Sequence, residues 1–167
     1  MGIDFQISPL LKTDIPAILE IEKQGQPEPW TEASFLEELV RLHSYLLAAR
    51  IDEDKIENRE SLFHPPRGII GYICFWCVAD EIQILNLAVH ENFRRRSIAR
   101  GLLAHALRIG CEKSARVANL EVRKSNVPAL KLYESFGFKA VGERPNYYGV
   151  QKEPAVLMEL EIQLGNE

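Results

Sequence analysis

Neither G-x-x-x-x-G-K-[ST] nor G-x-G-x-x-G occurs in the sequence, so the nucleoside-triphosphate loop and the dinucleotide fingerprint are both absent. Cysteine is scarce: with three in 167 residues, one is left over from any pairing, which fits a reducing, cytoplasmic setting. No apolar run is long enough to cross a membrane, and the N-terminus lacks the basic and apolar regions of a signal peptide. An excess of positive charge is missing too: the net charge is −4 and the pI about 5.7. That argues against direct nucleic-acid binding and favours a basic acceptor. His43, His64, His90 and His105 show no metal-ligand spacing. Cys74 and Cys77 form a C-x-x-C inside a strand pattern, where residues three apart point to opposite faces. No metal is expected.

What is present is the make-up of an ordinary globular chain, read as one domain over residues 1–167, burying roughly 70% of its unfolded surface. Ile3, Phe5 and Ile7 alternate as in a strand. Thr13 reads as the N-cap of a helix to Lys23, stopped by Gly25. Trp30, Thr31 and Phe35 fit a hydrophobic staple around a threonine cap, opening a second helix to Leu42. Ser44 to Ile51 reads as a strand. Residues 52–67 are charged, carry Pro65-Pro66 and lack apolar period, so they read as a long exposed loop. Gly68 to Val78 and Ile82 to Val89 then read as a hairpin around Asp80-Glu81.

The stretch Ile82 to Leu107 organises the rest. An apolar strand runs into Arg94, Arg95 and Arg96, and then into a helix with Ile98, Leu102, Ala106 and Ile109 along one side. A helix start has main-chain N–H groups without intrahelical partners and partial positive charge, and guanidinium groups suit phosphate oxygens. This predicts a pocket for a phosphorylated ligand, against the plainer reading of a solvated basic turn. Gly101 weakens the helix unless something approaches closely there. Val117 to Arg123 reads as a strand with Glu121 on the face opposite Leu120 and Val122, and Val127 to Phe136 as a helix capped by Ser125 or Asn126 and stopped by Gly137. Phe138 to Gly142 and Ala155 to Ile162 complete the strands. The order β-α-α-β-β-β-α-β-α-β-β implies an α/β mixed, mostly antiparallel sheet of about seven strands with about four helices.

Two stretches carry a family resemblance. NLAVHENFRRRSIARGLL resembles motif A of the GCN5-related N-acetyltransferases (GNAT), Q/R-x-x-G-x-G/A, and LEVRKSNVPALKLYESFGF resembles their motif B. With PWTEASF near the start and RPNYY near the end, the chain resembles the RimI-type branch, which acetylates the N-terminal alanine of a small-subunit ribosomal protein. The resemblance implies acetyl-CoA as co-substrate and a protein N-terminus as partner. It implies pantetheine along Leu87, Ala88 and Val89, the pyrophosphate on the loop and helix start through Arg94, Arg95, Arg96, Ser97, Ile98, Ala99 and Arg100, and Asn126 near the pantetheine arm. It implies Glu121 as general base, working through an ordered water, and Tyr133 as general acid. Ser97 departs from the pattern by standing where motif A has its first glycine. Trp30, Tyr147 and Tyr148 are candidates for lining the acceptor groove, with packing as the competing role for each. Acetylation of a lysine or small amine, and a non-catalytic acyl-CoA-binding module, remain open alternatives.

Overall fold

Strand alternation in the sequence becomes alternation of burial. From Glu81 to Val89, Ile82, Ile84, Asn86 and Ala88 are buried and Gln83, Leu85, Leu87 and Val89 are half-buried. The protein is described by a computed structural model over residues 3–52 and 65–163. Its elements are β1 (Gln6–Pro9), α1 (Ile15–Gly25), α2 (Glu32–Val40), β2 (Ser44–Arg50), β3 (Ile69–Val78), β4 (Glu81–Val89), α3 (Ile98–Glu112), β5 (Val117–Arg123), α4 (Val127–Ser135), β6 (Lys139–Tyr148) and β7 (Glu153–Glu161). That is the order expected from the sequence. The strands form a seven-stranded mixed sheet, β1-β2-β3-β4-β5-β7-β6. β4 and β5, joined through α3, pair in parallel, while β1 with β2, β5 with β7 and β6 with β7 pair antiparallel.

Two compact units make up the described chain. The first takes the chain up to Cys74 and Asn86–Ala106. Its core includes Ile15, Ile18 and Ile21 of α1, Phe35 of α2, and Ile70, Tyr72 and Ile73 of β3. Thr31 caps α2 as expected, its hydroxyl accepting from the Ser34 N–H at 3.2 Å, and the Trp30 and Phe35 rings close the staple with centroids 5.3 Å apart. Such a cap contributes about 1 kcal/mol. Thr13, by contrast, is not a cap: Lys12–Asp14 form a 3-10 turn and Asp14 stands at the start of α1. The Asp14 carboxylate draws the chain there, accepting from the Leu11 N–H at 2.7 Å while pairing with Arg50 and Arg67. Gly101 is explained by packing, since a Cβ there would lie 2.7 Å from the Phe5 ring. The loop expected over 52–67 lies, for residues 53–64, outside the described residues.

The second unit takes Phe75–Leu85 and the chain from Leu107 onward. β4 and β5 pair from Glu81↔Val117 to Ile84↔Leu120, and β5 pairs with β7 along its whole length, with Glu121 opposite Leu157. The β6 strand runs on to Tyr148 instead of ending at Gly142. Pro145 is tolerated because β6 is the terminal strand and its register shifts between Arg144 and Tyr148, where Asn146 takes a φ of 55°. Gly137, at a φ of 95°, ends α4 as expected.

Candidate active site

In the first unit the end of β4 leads through a 3-10 turn at Glu91–Phe93 into the arginine loop. Arg95 and Ser97 both adopt left-handed backbone, with φ of 61° and 64°. Ser97 therefore holds the conformation that glycine adopts freely, at a cost of about 1 kcal/mol or more. The first hydrogen bond of α3 runs from the Gly101 N–H to the Ser97 carbonyl at 2.9 Å. The N–H groups of Ile98, Ala99 and Arg100 thus precede the helical ladder, as an anion-binding helix start requires. Arg95, Arg96, Ser97 and Arg100 are exposed around them, whereas the Ile98 side chain is core, 1% exposed. Ile98 offers its main chain alone. Arg94 is differently employed: its Nε donates to the Val89 carbonyl at 3.2 Å and its Nη2 to the Gln24 carbonyl at 3.5 Å. It braces the end of β4 against α1. The Arg96 guanidinium lies 5.9 Å from the centre of the Phe93 ring.

In the second unit Glu121 projects from the middle of β5, half-buried, between two residues of β6. Arg144 Nη2 is 3.1 Å from Glu121 Oε1, and the Tyr147 hydroxyl bonds the same carboxylate. That bond, with burial behind it, raises the Tyr147 phenol above its ordinary value. The Arg144 guanidinium also covers the Tyr147 ring at 4.8 Å, and Arg123 covers the Tyr148 ring at 4.2 Å. Burial, and then the Glu121 charge, push Tyr148 up to about 12. An ion pair as exposed as Glu121–Arg144 adds about 0–1 kcal/mol of stability, so its consequence is to orient the carboxylate.

Tyr133 sits on α4, buried, with its ring 5.8 Å from Phe138. Burial, and to a lesser extent Tyr148, hold its phenol far above the ordinary value, so it is a neutral hydrogen-bond donor across the working pH range. Asn126 caps α4, its Oδ1 accepting from the Ala129 N–H at 3.2 Å. Among the described residues no group of three or more His, Cys, Asp or Glu is placed to hold a metal ion, and no helix is long and apolar enough to cross a membrane.

The profile of the Acetyltransferase (GNAT) family matches residues 15–138, well over half of the chain. The chain belongs to the GNAT acetyltransferase family. It is 36% identical over 145 residues to a putative [ribosomal protein bS18]-alanine N-acetyltransferase of Bacillus subtilis, covering 87% of each chain. It is 32% identical over 160 residues to the [ribosomal protein bS18]-alanine N-acetyltransferase of Salmonella typhimurium, covering 95% of this chain and 98% of that one. The crystal structure of the ribosomal-protein-S18-alanine N-acetyltransferase from Escherichia coli superposes with a TM-score of 0.82 at 28% identity, over 98% of this chain and 97% of that one. Arabidopsis thaliana NAA60, crystallised with acetyl-CoA, shares the fold with a TM-score of 0.81 at 19% identity, over 95% of this chain and 99% of that one.

Sequence reasoning passes over two side-chain groups of this GNAT chain. Arg144, Arg123 and Glu153 surround Glu121 and Tyr148, with Glu153 accepting from the Ser125 N–H at 2.7 Å and pairing with Arg123 at 3.3 Å. In the first unit Glu22 is buried among Tyr72, Asn86 and Trp30. Glu22 was legible as a charge on the apolar stripe of Ile15 and Ile18, and Asn86 as a polar residue in phase with Ile82 and Ile84. Trp30 is half-buried, with one side of its ring packed against Phe35 and part of its surface open.

Proposed function

We propose that this acetyltransferase moves the acetyl group of acetyl-CoA to the N-terminal amine of a protein, and that the acceptor is the alanine N-terminus of a small-subunit ribosomal protein in the cytoplasm. The observation that carries the reading is the near full-length match to the Salmonella relative, whose name states that reaction. The fold and the local chemistry of each unit fit it.

On this reading the main chain of Leu87, Ala88 and Val89 pairs with the pantetheine arm, and an N–H there polarises the acetyl carbonyl. The N–H groups of Ile98, Ala99 and Arg100, with the Arg95 and Arg96 guanidinium groups, take the pyrophosphate. Arg94 acts one step back by holding the Val89 carbonyl. Ser97 supplies the left-handed turn and a hydroxyl, and the Asn126 amide N–H group faces the pantetheine while its oxygen caps α4.

Glu121 accepts a proton from the acceptor ammonium through a water, releasing the neutral amine that attacks the thioester carbonyl. The amine nitrogen loses its second proton as the amide forms, and the departing sulfur gains one. Overall, ammonium and thioester give amide, thiol and one released proton. The Tyr133 phenol, held neutral by its burial, acts as the general acid: it passes its proton to the sulfur as the C–S bond breaks and is reprotonated by the second proton that leaves the amine. Tyr147 and Tyr148 border the acceptor. No covalent enzyme intermediate is required, and Cys111 has no part.

Mass spectrometry of three peptides tests the reading: one starting with alanine, its Nα-blocked form, and one with an internal lysine. Only the free alanine start is expected to gain an acetyl group. Equal turnover of the blocked peptide would replace N-terminal transfer with lysine transfer. Binding of acetyl-CoA without turnover of any amine would leave a non-catalytic acyl-CoA module.

A further inference from the structure

Glu22 on α1 is 0% exposed and accepts three hydrogen bonds. The Trp30 main-chain N–H donates to Oε1 at 2.9 Å, the Asn86 side-chain amide donates to the same oxygen at 3.0 Å, and the Tyr72 hydroxyl donates to Oε2. Asn86 is held in turn by Gln26, whose Nε2 donates to its Oδ1 at 3.3 Å. The Trp30 ring packs on Phe35 with centroids 5.3 Å apart, and Phe35 packs edge-on against Tyr72 at 5.4 Å. None of the three donors is a cation. A carboxylate buried with only neutral partners is expensive, and an apolar residue of similar volume would spare that cost. What the carboxylate gains in exchange is a fixed geometry. It ties the Pro-rich turn between α1 and α2 to β3, and to β4 at the residue directly before Leu87.

We propose that Glu22 is a positioning residue for the acceptor: it fixes the turn carrying Trp30 against the end of β4, so that the indole forms a rigid wall for the first residues of an incoming peptide. This rests on the proposed acetyl transfer to a protein N-terminus, and on Trp30 as the groove-lining candidate named from the sequence. A loosened turn weakens capture of the peptide more than capture of acetyl-CoA, because β4 keeps its place through its own strand pairing.

Steady-state kinetics of the full chain with an alanine-start peptide, together with hydrogen exchange at the Trp30 amide, test this in Glu22→Gln and Glu22→Asp. Glutamine can accept from Trp30 and Asn86 through its carbonyl and donate to the Tyr72 oxygen, so its peptide KM should stay within about threefold of wild type. Aspartate is one methylene short. Its peptide KM should rise at least about tenfold while the acetyl-CoA KM moves less than about threefold. Exchange at the Trp30 amide should accelerate at least about tenfold in the aspartate variant. An unchanged peptide KM in Glu22→Asp, an equal rise in both KM values, or a peptide KM raised about tenfold by glutamine would overturn the proposal. Should the aspartate variant fail to fold, the glutamine variant still decides by that last criterion. If wild-type protein leaves the alanine-start peptide unmodified, the substrate reading fails by itself. The exchange arm then decides whether Glu22 holds the turn, and unchanged protection at Trp30 sinks it.

Discussion

Arg144 reaches Glu121 across an intervening strand. The order β5-β7-β6 puts β7 between them, yet Arg144 Nη2 closes to 3.1 Å from Glu121 Oε1. Neighbouring strands lie about 4.8 Å apart, so only a side chain as long as arginine or tyrosine spans the gap. The result is a carboxylate gripped by two donors from the edge strand, which restricts its rotamers without burying it. Orientation of this kind matters for a general base, whose proton must be within hydrogen-bond reach.

Glu121→Gln retains the shape and loses the basicity. It is expected to lower kcat at least about tenfold with little change in the KM for acetyl-CoA. Tyr147→Phe removes one of the two grips and should produce a smaller loss of kcat. Initial-rate assays at saturating acetyl-CoA measure both. A glutamine variant that matches wild type would remove Glu121 from the chemistry.

Ser97→Gly is expected to stabilise the protein by about 0.5–1 kcal/mol, because the φ of 64° costs serine energy that glycine does not pay. Acetyl-CoA binding should persist in both forms, since the main-chain N–H groups of Ile98 to Arg100 are the same. Urea unfolding reads the first effect and titration calorimetry the second. Binding that appears only in the glycine variant would mean that serine has disabled the loop.

Local rules account for much of this fold. Val117 and Arg123 bound β5 as its apolar alternation predicts, and Thr31 with Trp30 and Phe35 announces α2 without any tertiary information. Pro145 hid the second half of β6, because a proline reads as a strand breaker until the strand is known to be an edge with a register shift. Arg94 shows the same limit at the site. In sequence it is one more cation of an anion-binding loop, but its Nη2 reaches the carbonyl of Gln24, seventy residues earlier in the chain. Glu22 and Asn86 gave weaker signals, each a polar residue in phase with apolar neighbours, and the fold alone says what satisfies them.

Alkaline pH should destabilise the protein ahead of any general unfolding of its charge network. Burial first, and the Glu38 charge after it, push the Cys74 thiol from an ordinary 9.0 to about 12, against the opposing Ser44 hydrogen bond. Tyr148 moves from 10.0 to about 12. Between those values the unfolded chain gives up protons that the folded chain keeps, so unfolding releases protons and stability falls as pH rises. The contribution is complete below pH 9 for Cys74 and below pH 10 for Tyr148, and is lost through pH 12. Urea midpoints should drop steadily from about pH 9 to 11. Cys74→Ala should show a shallower drop whatever its stability at neutral pH, and an identical slope would contradict the assignment.

At the acid end the decisive group is Asp14. Its burial opposes ionisation, but the Arg50 hydrogen bonds, the Leu11 N–H and the charges of Arg50 and Arg67 outweigh that, so its carboxyl lies below the ordinary 3.8. Arg50 Nη2 is 2.5 Å and Arg67 Nε 2.7 Å from its oxygens. Arg67 is half exposed and solvent screens its share, so Arg50 and Leu11 carry most of the effect. A lowered carboxyl stabilises the folded chain above its ordinary value, and the stabilisation disappears as pH falls through the folded value. Asp14→Ala leaves Arg50 without its partner and the Leu11 N–H without its acceptor; because Arg50 keeps some access to solvent, the loss is about 1–3 kcal/mol at pH 7. Asp14→Asn keeps an acceptor for Leu11 and should lose less. Urea unfolding at pH 7 and at pH 3 distinguishes the two contributions: the gap between wild type and Asp14→Asn should narrow at the lower pH. A gap that stays constant would mean that packing, and not the charge, is what Asp14 supplies.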